Sequence, residues 1–511
     1  MAIPLLGRIS IREWPLFIIS LSLAWLEYVS SLITSLLPAP IIQIFTSGIT
    51  LFYRFSAEPI NLIKGVSDSD NISGTTTYKY LDSDTHGDVE DEKYHLMIDV
   101  LNAPDIQHMC SLFGYNIESH IVKTTDNYLL TLHHLVRPES HIPRNGKVIY
   151  LHHGLLMSSD IWVTMLERHL NLPYLLHDLG YDVWLGNNRG NKYSQKHLFY
   201  KTNSEKFWDF SLDEFALFDI PNTVDYILNS TSSKQLTYIG FSQGSAQCFA
   251  SMSVNPELKD KIDQVIAISP ATTPHGLYSK LLDILLKASP SLVYLIFSRR
   301  VLLPSVLLWQ RLMYPPLFDS LIDASNYFLF NWKSLNIQKM QKIASYAHLY
   351  SPTSVKCVVH WFQVISSKKF QMFQDSDSMS GSNPIYYPLK NIKTPIHIIY
   401  GDSDSLVDID VMKSQLPSDS TTVHRVHGHE HLDNIWGHDA KEEVFEHVIQ
   451  YLGETSFNAS NIKTRKSYLQ FVTADEDYVR DGEEAVSGQA STVEDFVISH
   501  RKPSTGGSVF V

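Results

Sequence analysis

The run Gln235-Leu-Thr-Tyr-Ile-Gly-Phe-Ser-Gln-Gly-Ser-Ala-Gln-Cys-Phe-Ala-Ser-Met252 decides how this chain is read. Gln235–Gly240 is β-branched and aromatic and predicts a strand, Phe241–Gly244 predicts a tight turn, and Ser245–Met252 predicts a helix start. Within it Gly240, Ser242 and Gly244 form G-x-S-x-G, the one match in the sequence. Glycines suit both flanking positions because a strained turn that presents a nucleophile packs strand and helix backbones too closely for a Cβ. Working outward, Glu118–Val122, Tyr128–Leu135, Lys147–Leu151, Tyr181–Leu185, Gln264–Ser269, Pro395–Tyr400 and Thr421–Val426 are further strand candidates, the later ones separated by helix-length segments. Two hairpin-like strands followed by βα alternation predict an α/β fold with a mostly parallel central sheet. In such sheets the chemistry gathers at the carboxyl ends of the strands.

A serine at its ordinary pKa needs a base, and the base needs an orienting carboxylate, in the chain order serine, acid, histidine on this kind of sheet. After Pro395–Tyr400 comes Gly401-Asp-Ser-Asp-Ser-Leu-Val-Asp408, and after Thr421–Val426 comes His427-Gly-His-Glu-His-Leu-Asp433. Asp404 is the expected acid, with Asp402 and Asp408 as neighbours suited to turns or helix caps. His431 is the expected base, with His429 as the alternative. The His427, His429, His431 spacing has no thiolate or familiar metal pattern around it, so no metal and no cofactor are expected. The strand Lys147–Leu151 runs into His152-His-Gly-Leu-Leu156, whose backbone N–H groups, with that of Gln243, are placed to meet a developing oxyanion.

The whole chain has 511 residues, with 41 basic and 54 acidic side chains and a net charge of −13. No concentrated basic face appears, which argues against a nucleic-acid partner. Cys110, Cys248 and Cys357 are few, odd in number and scattered, so reduced thiols in a protein facing the cytosol are expected. On that expectation the sequons at Asn71, Asn229 and Asn458 go unmodified. Pro15–Leu37 carries one formal charge, Glu27, and as a helix is long enough for a ~30 Å hydrocarbon layer. After Pro38 and Pro40 a shorter apolar run, Ile41–Phe52, follows, and the basic flanks fit a membrane hairpin, with a single span as the alternative. Residues 1–64 are therefore expected to be a membrane or monolayer anchor and the acidic, Ser- and Gly-rich residues 65–94 a linker. The globular part is placed at 95–455 and a polar, flexible tail at 456–511. Between Ser269 and Pro395 lies an insertion, about 270–394, with apolar stretches such as LLDILLKASPSLVYLIF and VLLPSVLLWQRLMYPPLF.

Five blocks in order, HHGLL, LHDLGYDVWLGNNRGNKYS (176–194), GFSQG, GDSDSLVD and HEHLDNIWG, resemble the acid lipase family of α/β-hydrolases, which includes gastric and lysosomal acid lipases. Within it the chain most resembles the fungal lipid-droplet steryl ester hydrolases, which share an apolar amino-terminal anchor and a polar tail. The resemblance implies an α/β-hydrolase fold with a helical cap formed by the insertion, Ser242 as nucleophile, Asp404 as acid, His431 as base, and Leu155 with Gln243 as backbone oxyanion donors. Phe241 departs from the histidine of mammalian relatives, and Asp402 from a frequent glycine. The expected activity is hydrolysis of steryl esters to sterol and fatty acid by an anchored enzyme whose partners are a neutral lipid and a membrane or droplet surface. The alternatives are a triacylglycerol lipase or acyltransferase with the same triad, and an inactive droplet-bound structural protein.

Overall fold

The computed structural model describes residues 88–136, 145–276, 297–302, 304–375 and 384–453, with a few isolated residues outside these stretches. Apart from a few single residues of the expected anchor, that anchor, all but the end of the expected linker, and the expected tail lie outside the described residues. Among the described residues no helix is long and apolar enough to cross a membrane.

A nine-stranded sheet forms the centre. Its strands are β1 (Asn116–Lys123), β2 (Tyr128–Val136), β3 (Val148–His152), β4 (Asp182–Leu185), the short β5 (Lys196–His197), β6 (Leu236–Phe241) and β7 (Ile262–Ile268). Two more, β10 (Ile396–Gly401) and β11 (Thr421–Val426), follow an insertion that carries the two-residue strands β8 (Val301–Leu302) and β9 (Thr353–Ser354). The order is β1-β2-β4-β3-β6-β7-β10-β11, with β5 beside β2. β1, β2 and β4 pair antiparallel in that order, and every pair from β4 to β11 is parallel. Burial follows position: every residue of β3 and β6 is buried, as a strand covered on both faces requires, whereas the edge strands β1 and β11 are largely exposed.

The chain leaves β3 toward β4 on one side and later returns to β6 on the other. That reversal opens a crevice at the carboxyl ends of β3 and β6. Ser242 directly follows β6, and the His152–Leu155 turn closes β3.

Between β7 and β10 the insertion supplies helices Val306–Leu312, Pro315–Phe330, Lys339–Tyr346 and Val355–Ser367. One expectation needs correction. The helix Asp88–Asn102 begins inside the stretch read as a linker. Leu96, Met97 and Val100 bury its later turns.

Candidate active site

Ser242 sits in the turn between β6 and the helix Gln243–Val254 with φ 53° and ψ −119°, a conformation that side chains with a Cβ rarely adopt. Its N–H donates to Ile268 O at 3.0 Å, which pins the turn to β7. Gly244 is indispensable to this geometry, since a Cβ there would lie 2.4 Å from His152 O and 2.7 Å from His153 O. The nucleophile turn and the end of β3 therefore touch backbone to backbone. A Cβ on Gly154 would in turn meet Ser242 Cβ at 3.2 Å.

His431 Nδ1 donates to Asp404 Oδ2 at 2.6 Å, with both side chains almost fully buried. Two further contacts fix the histidine segment beside the serine. Ser269, at the end of β7, donates from Oγ to His431 O at 3.0 Å and accepts from Asn434 Nδ2 at 2.7 Å. The Phe241 ring, next to Ser242, lies 5.1 Å from the imidazole.

The alternatives are engaged elsewhere. Asp402 accepts from Arg425, from His427 Nδ1 at 2.8 Å and from Gly428 N at 2.7 Å. Asp408 caps the helix Ile409–Gln415 through Val411 N. His429 meets Asn434 Oδ1 at 3.0 Å and Asp439 Oδ1 at 3.1 Å. His427, His429 and His431 thus turn to three different partners instead of converging on one point. Among the described residues the only place where three histidine or carboxylate ligand atoms gather within 4.8 Å of one another is Glu118, His120 and His134, on β1 and β2. There His134 is already held by Asp182 at 2.6 Å and stacked on Trp184.

Behind the turn at the end of β3 lies a buried polar network. Tyr150 Oη meets His152 Nδ1 and Asn188 Oδ1 meets His152 Nε2, both at 2.8 Å, while Gln247 Nε2 donates to Asn188 Oδ1 at 3.0 Å. Asn188 N donates to His153 Nε2 at 3.1 Å, which leaves His153 Nδ1 to donate to Gly154 O at 2.8 Å. Burial holds both imidazoles neutral, pushing His153 down to about 4 and His152 well below the ordinary histidine range. A neutral ring can accept on one nitrogen and donate on the other, and this network needs both roles.

Gln243 opens the helix, so its N–H is one of those without an intrahelical partner. Its side chain is drawn away into the insertion, where Oε1 accepts from Trp361 Nε1 at 2.7 Å and from the Cys357 thiol at 3.6 Å. Leu155 is half-buried and packs on the main core. The insertion also reaches the histidine, where Trp332 stacks on the His431 ring with centroids 5.1 Å apart and planes 6° from parallel. Sequence reading missed Asn188, Ser269, Trp332, Trp361 and Asn434. Of these, only Asn188 and Asn434 fall inside quoted blocks that signalled anything.

The family model described as alpha/beta hydrolase fold matches residues 147–438, and that described as partial alpha/beta-hydrolase lipase region matches 106–166. A protein of Schizosaccharomyces pombe described as a "probable lipase" is 47% identical over 359 residues, covering 69% of this chain and 81% of its own. The gastric triacylglycerol lipase of Homo sapiens is 32% identical over 365 residues, covering 68% and 91%. The bovine gastric triacylglycerol lipase is 33% identical over 366 residues, covering 68% and 91%. The chain belongs to the acid lipase family of α/β-hydrolases. It is an ester hydrolase.

Membership in the acid lipase family accounts for the sequence blocks around the site. GFSQG forms the serine turn, HHGLL the end of β3, and GDSDSLVD and HEHLDNIWG the two segments joined through Asp404 and His431. The long 176–194 block spans β4 and supplies Asn188 and Asn191, which hold the β3 turn from behind through His153 Nε2, and Asn187, which accepts from Ser159 N at 3.0 Å just beyond it. Its Arg189 is fully buried between Asp219 and Asp126, with Nε and Nη2 donating to Asp219 Oδ1 at 2.9 and 2.6 Å.

Proposed function

We propose that this acid lipase relative is a serine esterase that hydrolyses steryl esters to sterol and free fatty acid. Ser242 Oγ attacks the acyl carbonyl carbon and His431 Nε2 takes its proton. Asp404 holds the imidazole by Nδ1 and stabilises the imidazolium that forms. The N–H groups of Leu155 and Gln243 receive the oxyanion of the tetrahedral intermediate. When the carbon–oxygen bond to the sterol breaks, His431 returns the proton to the leaving oxygen. Water, giving a proton to His431 Nε2, then attacks the acyl carbonyl carbon, the bond from that carbon to Ser242 Oγ breaks as His431 returns the proton to Oγ, and the fatty acid departs.

The observation that carries the substrate reading is the aromatic roof over the polar machinery. Trp332 lies flat on His431 and Trp361 is bonded to Gln243, so the insertion covers the site with large apolar rings. An apolar cover of this kind suits a long acyl chain and a bulky apolar alcohol better than a polar ester. Triacylglycerol hydrolysis by the same triad is the second reading, favoured by the gastric triacylglycerol lipases among the relatives.

The reading includes attachment to a membrane or lipid-droplet surface through residues 1–64, with the catalytic part facing the cytosol. It draws on the apolar runs Pro15–Leu37 and Ile41–Phe52. Leu317, Leu321 and Phe328, exposed along one face of Pro315–Phe330, are consistent with lipid contact.

The test compares the full chain with Ser242→Ala for fatty-acid release from cholesteryl oleate and from triolein in detergent micelles. Release from the steryl ester that Ser242→Ala abolishes is the expected result. Release from triolein alone moves the second reading forward, and release from neither by folded protein defeats both.

A further inference from the structure

We infer that Trp332 is a positioning residue for His431 and that Glu430 is the latch holding it there, so the orientation of the base depends on the insertion being docked. This rests on the proposed role of His431. The imidazole is fixed at Nδ1 by Asp404, but one hydrogen bond leaves the ring free to tilt about it. Aromatic faces remove that freedom: Trp332 lies parallel on one side at 5.1 Å, and Phe241 approaches at 5.1 Å and 51°.

Trp332 is buried, yet its indole N–H meets no acceptor among the described residues. A buried donor without a partner is a cost, so the useful part of this side chain is the ring face. A face of that kind attracts a cation, and His431 becomes one on taking the serine proton. The contact therefore strengthens at the moment of reaction.

The chain turns sharply around Trp332. Asn331 ends the helix Pro315–Phe330 at φ 60°, the left-handed conformation asparagine favours at a helix end, its N–H donating to Tyr327 O at 2.8 Å, and Ser334 follows at φ 50°, left-handed at a serine. What holds Ser334 is the neighbour of the base itself. The Glu430 carboxylate accepts from Lys333 N at 2.8 and 2.9 Å and from Ser334 N at 2.7 Å. Hydrogen bonds to an ionised acceptor are the stronger kind, and these two N–H donors lie immediately after Trp332 in the chain. Ser405, in the loop of the acid, donates to Phe330 O, and the Phe330 ring stacks on Trp332 at 4.3 Å. Both catalytic loops thus grip the short segment that carries the indole.

The experiment uses the full chain and p-nitrophenyl butyrate, a small soluble ester that removes the lipid surface from the measurement. Trp332→Leu is expected to lower kcat about three- to tenfold with KM little changed, while Trp332→Phe, which keeps an aromatic face, stays within about twofold of wild type. Glu430→Ala is expected to lower kcat to a similar extent, and the double variant to be no slower than Trp332→Leu alone.

Wild-type kcat in Trp332→Leu overturns the inference, as does a rise in KM at unchanged kcat, which would make Trp332 a substrate contact. Losses that multiply in the double variant overturn the latch. Should Trp332→Leu fail to fold, Trp332→Met replaces it, and Glu430→Ala with lowered thermal stability but wild-type kcat again overturns the latch. Ser242→Ala separates the two levels. Activity retained by Ser242→Ala sinks the proposed function, whereas a dead Ser242→Ala beside a fully active Trp332→Leu sinks only this inference.

Discussion

Replacing Gly244 by alanine adds a single methyl group where two chain segments meet backbone to backbone. The new Cβ would lie 2.4 Å from His152 O and 2.7 Å from His153 O, while ordinary contact begins at 3.4 Å, so the segments must part by 3.4 − 2.4 = 1.0 Å. Neither side yields easily. Tyr238 Oη donates to Gly244 O at 2.9 Å and holds the helix start against β6, and the His152 ring is bonded at both nitrogens. Overpacking of this kind costs roughly 1–3 kcal/mol of stability. On the proposed mechanism the rate suffers more, because the separation falls between the Ser242 turn and the Leu155 N–H, which that mechanism brings to the same carbonyl group. A misplacement of ~1 Å in such a constellation costs on the order of 10²-fold. Urea unfolding and kcat/KM on p-nitrophenyl butyrate, corrected for active sites by a fluorophosphonate burst, measure the two effects separately. A Gly244→Ala enzyme within threefold of wild type and equally stable would refute the claim that this backbone contact sets the site.

Asp404→Asn should lower kcat by about 10³–10⁴ with KM little changed, since an amide cannot stabilise the imidazolium, and steady-state kinetics showing less than a tenfold loss would disqualify Asp404 as the acid. Asp433→Asn should change the pH dependence of stability. Burial raises the Asp433 carboxyl to about 6, against the Glu430 N–H bond that lowers it, so the native state keeps this proton while the unfolded chain releases it near 4. Stability from this group is complete below pH 4 and is lost as pH rises from 4 to 6, by about 2–3 kcal/mol, so thermal scans should show Asp433→Asn gaining on wild type across that interval. Arg189→Met leaves Asp219 buried without its guanidinium and should cost roughly 3–5 kcal/mol in urea unfolding, with an unchanged midpoint as the contrary result.

All eight long strands were legible in the sequence, because each is a β-branched or aromatic run of at least four residues closed by turn signals. Lys196–His197, Val301–Leu302 and Thr353–Ser354 were not, since two residues cannot display a period of two. The helix from Asp88 was hidden for a different reason. Its first turn is acidic and resembles a solvated linker, and the buried positions Leu96, Met97 and Val100 come only later. The serine turn was legible because strain demands glycine at fixed offsets, which leaves a local mark. Trp332 and Trp361 left none. Their partners, His431 and Gln243, stand about a hundred positions away, and an aromatic residue in an apolar insertion looks the same whether it packs on its own core or on a catalytic ring.

The choice between Asp402 and Asp404 shows what a local pattern can and cannot decide. Both carboxylates follow the same strand within one turn, so spacing alone favours neither. The structure separates them by backbone direction. Asp402 N still donates to Val426 O, continuing the β10–β11 ladder at its solvent edge, whereas Asp404 N has turned back to Gly401 O, with its side chain inward. Asp402 accordingly meets the exposed Arg425 and His427 and the N–H of Gly428, which is at φ 78°. Against desolvation, which opposes it, those donors hold its carboxyl down at about 2. Its task is to shape the turn that delivers His429, Glu430 and His431. Asp402 therefore touches the His431 segment only through the backbone of its turn, while Asp404 bonds to the imidazole directly.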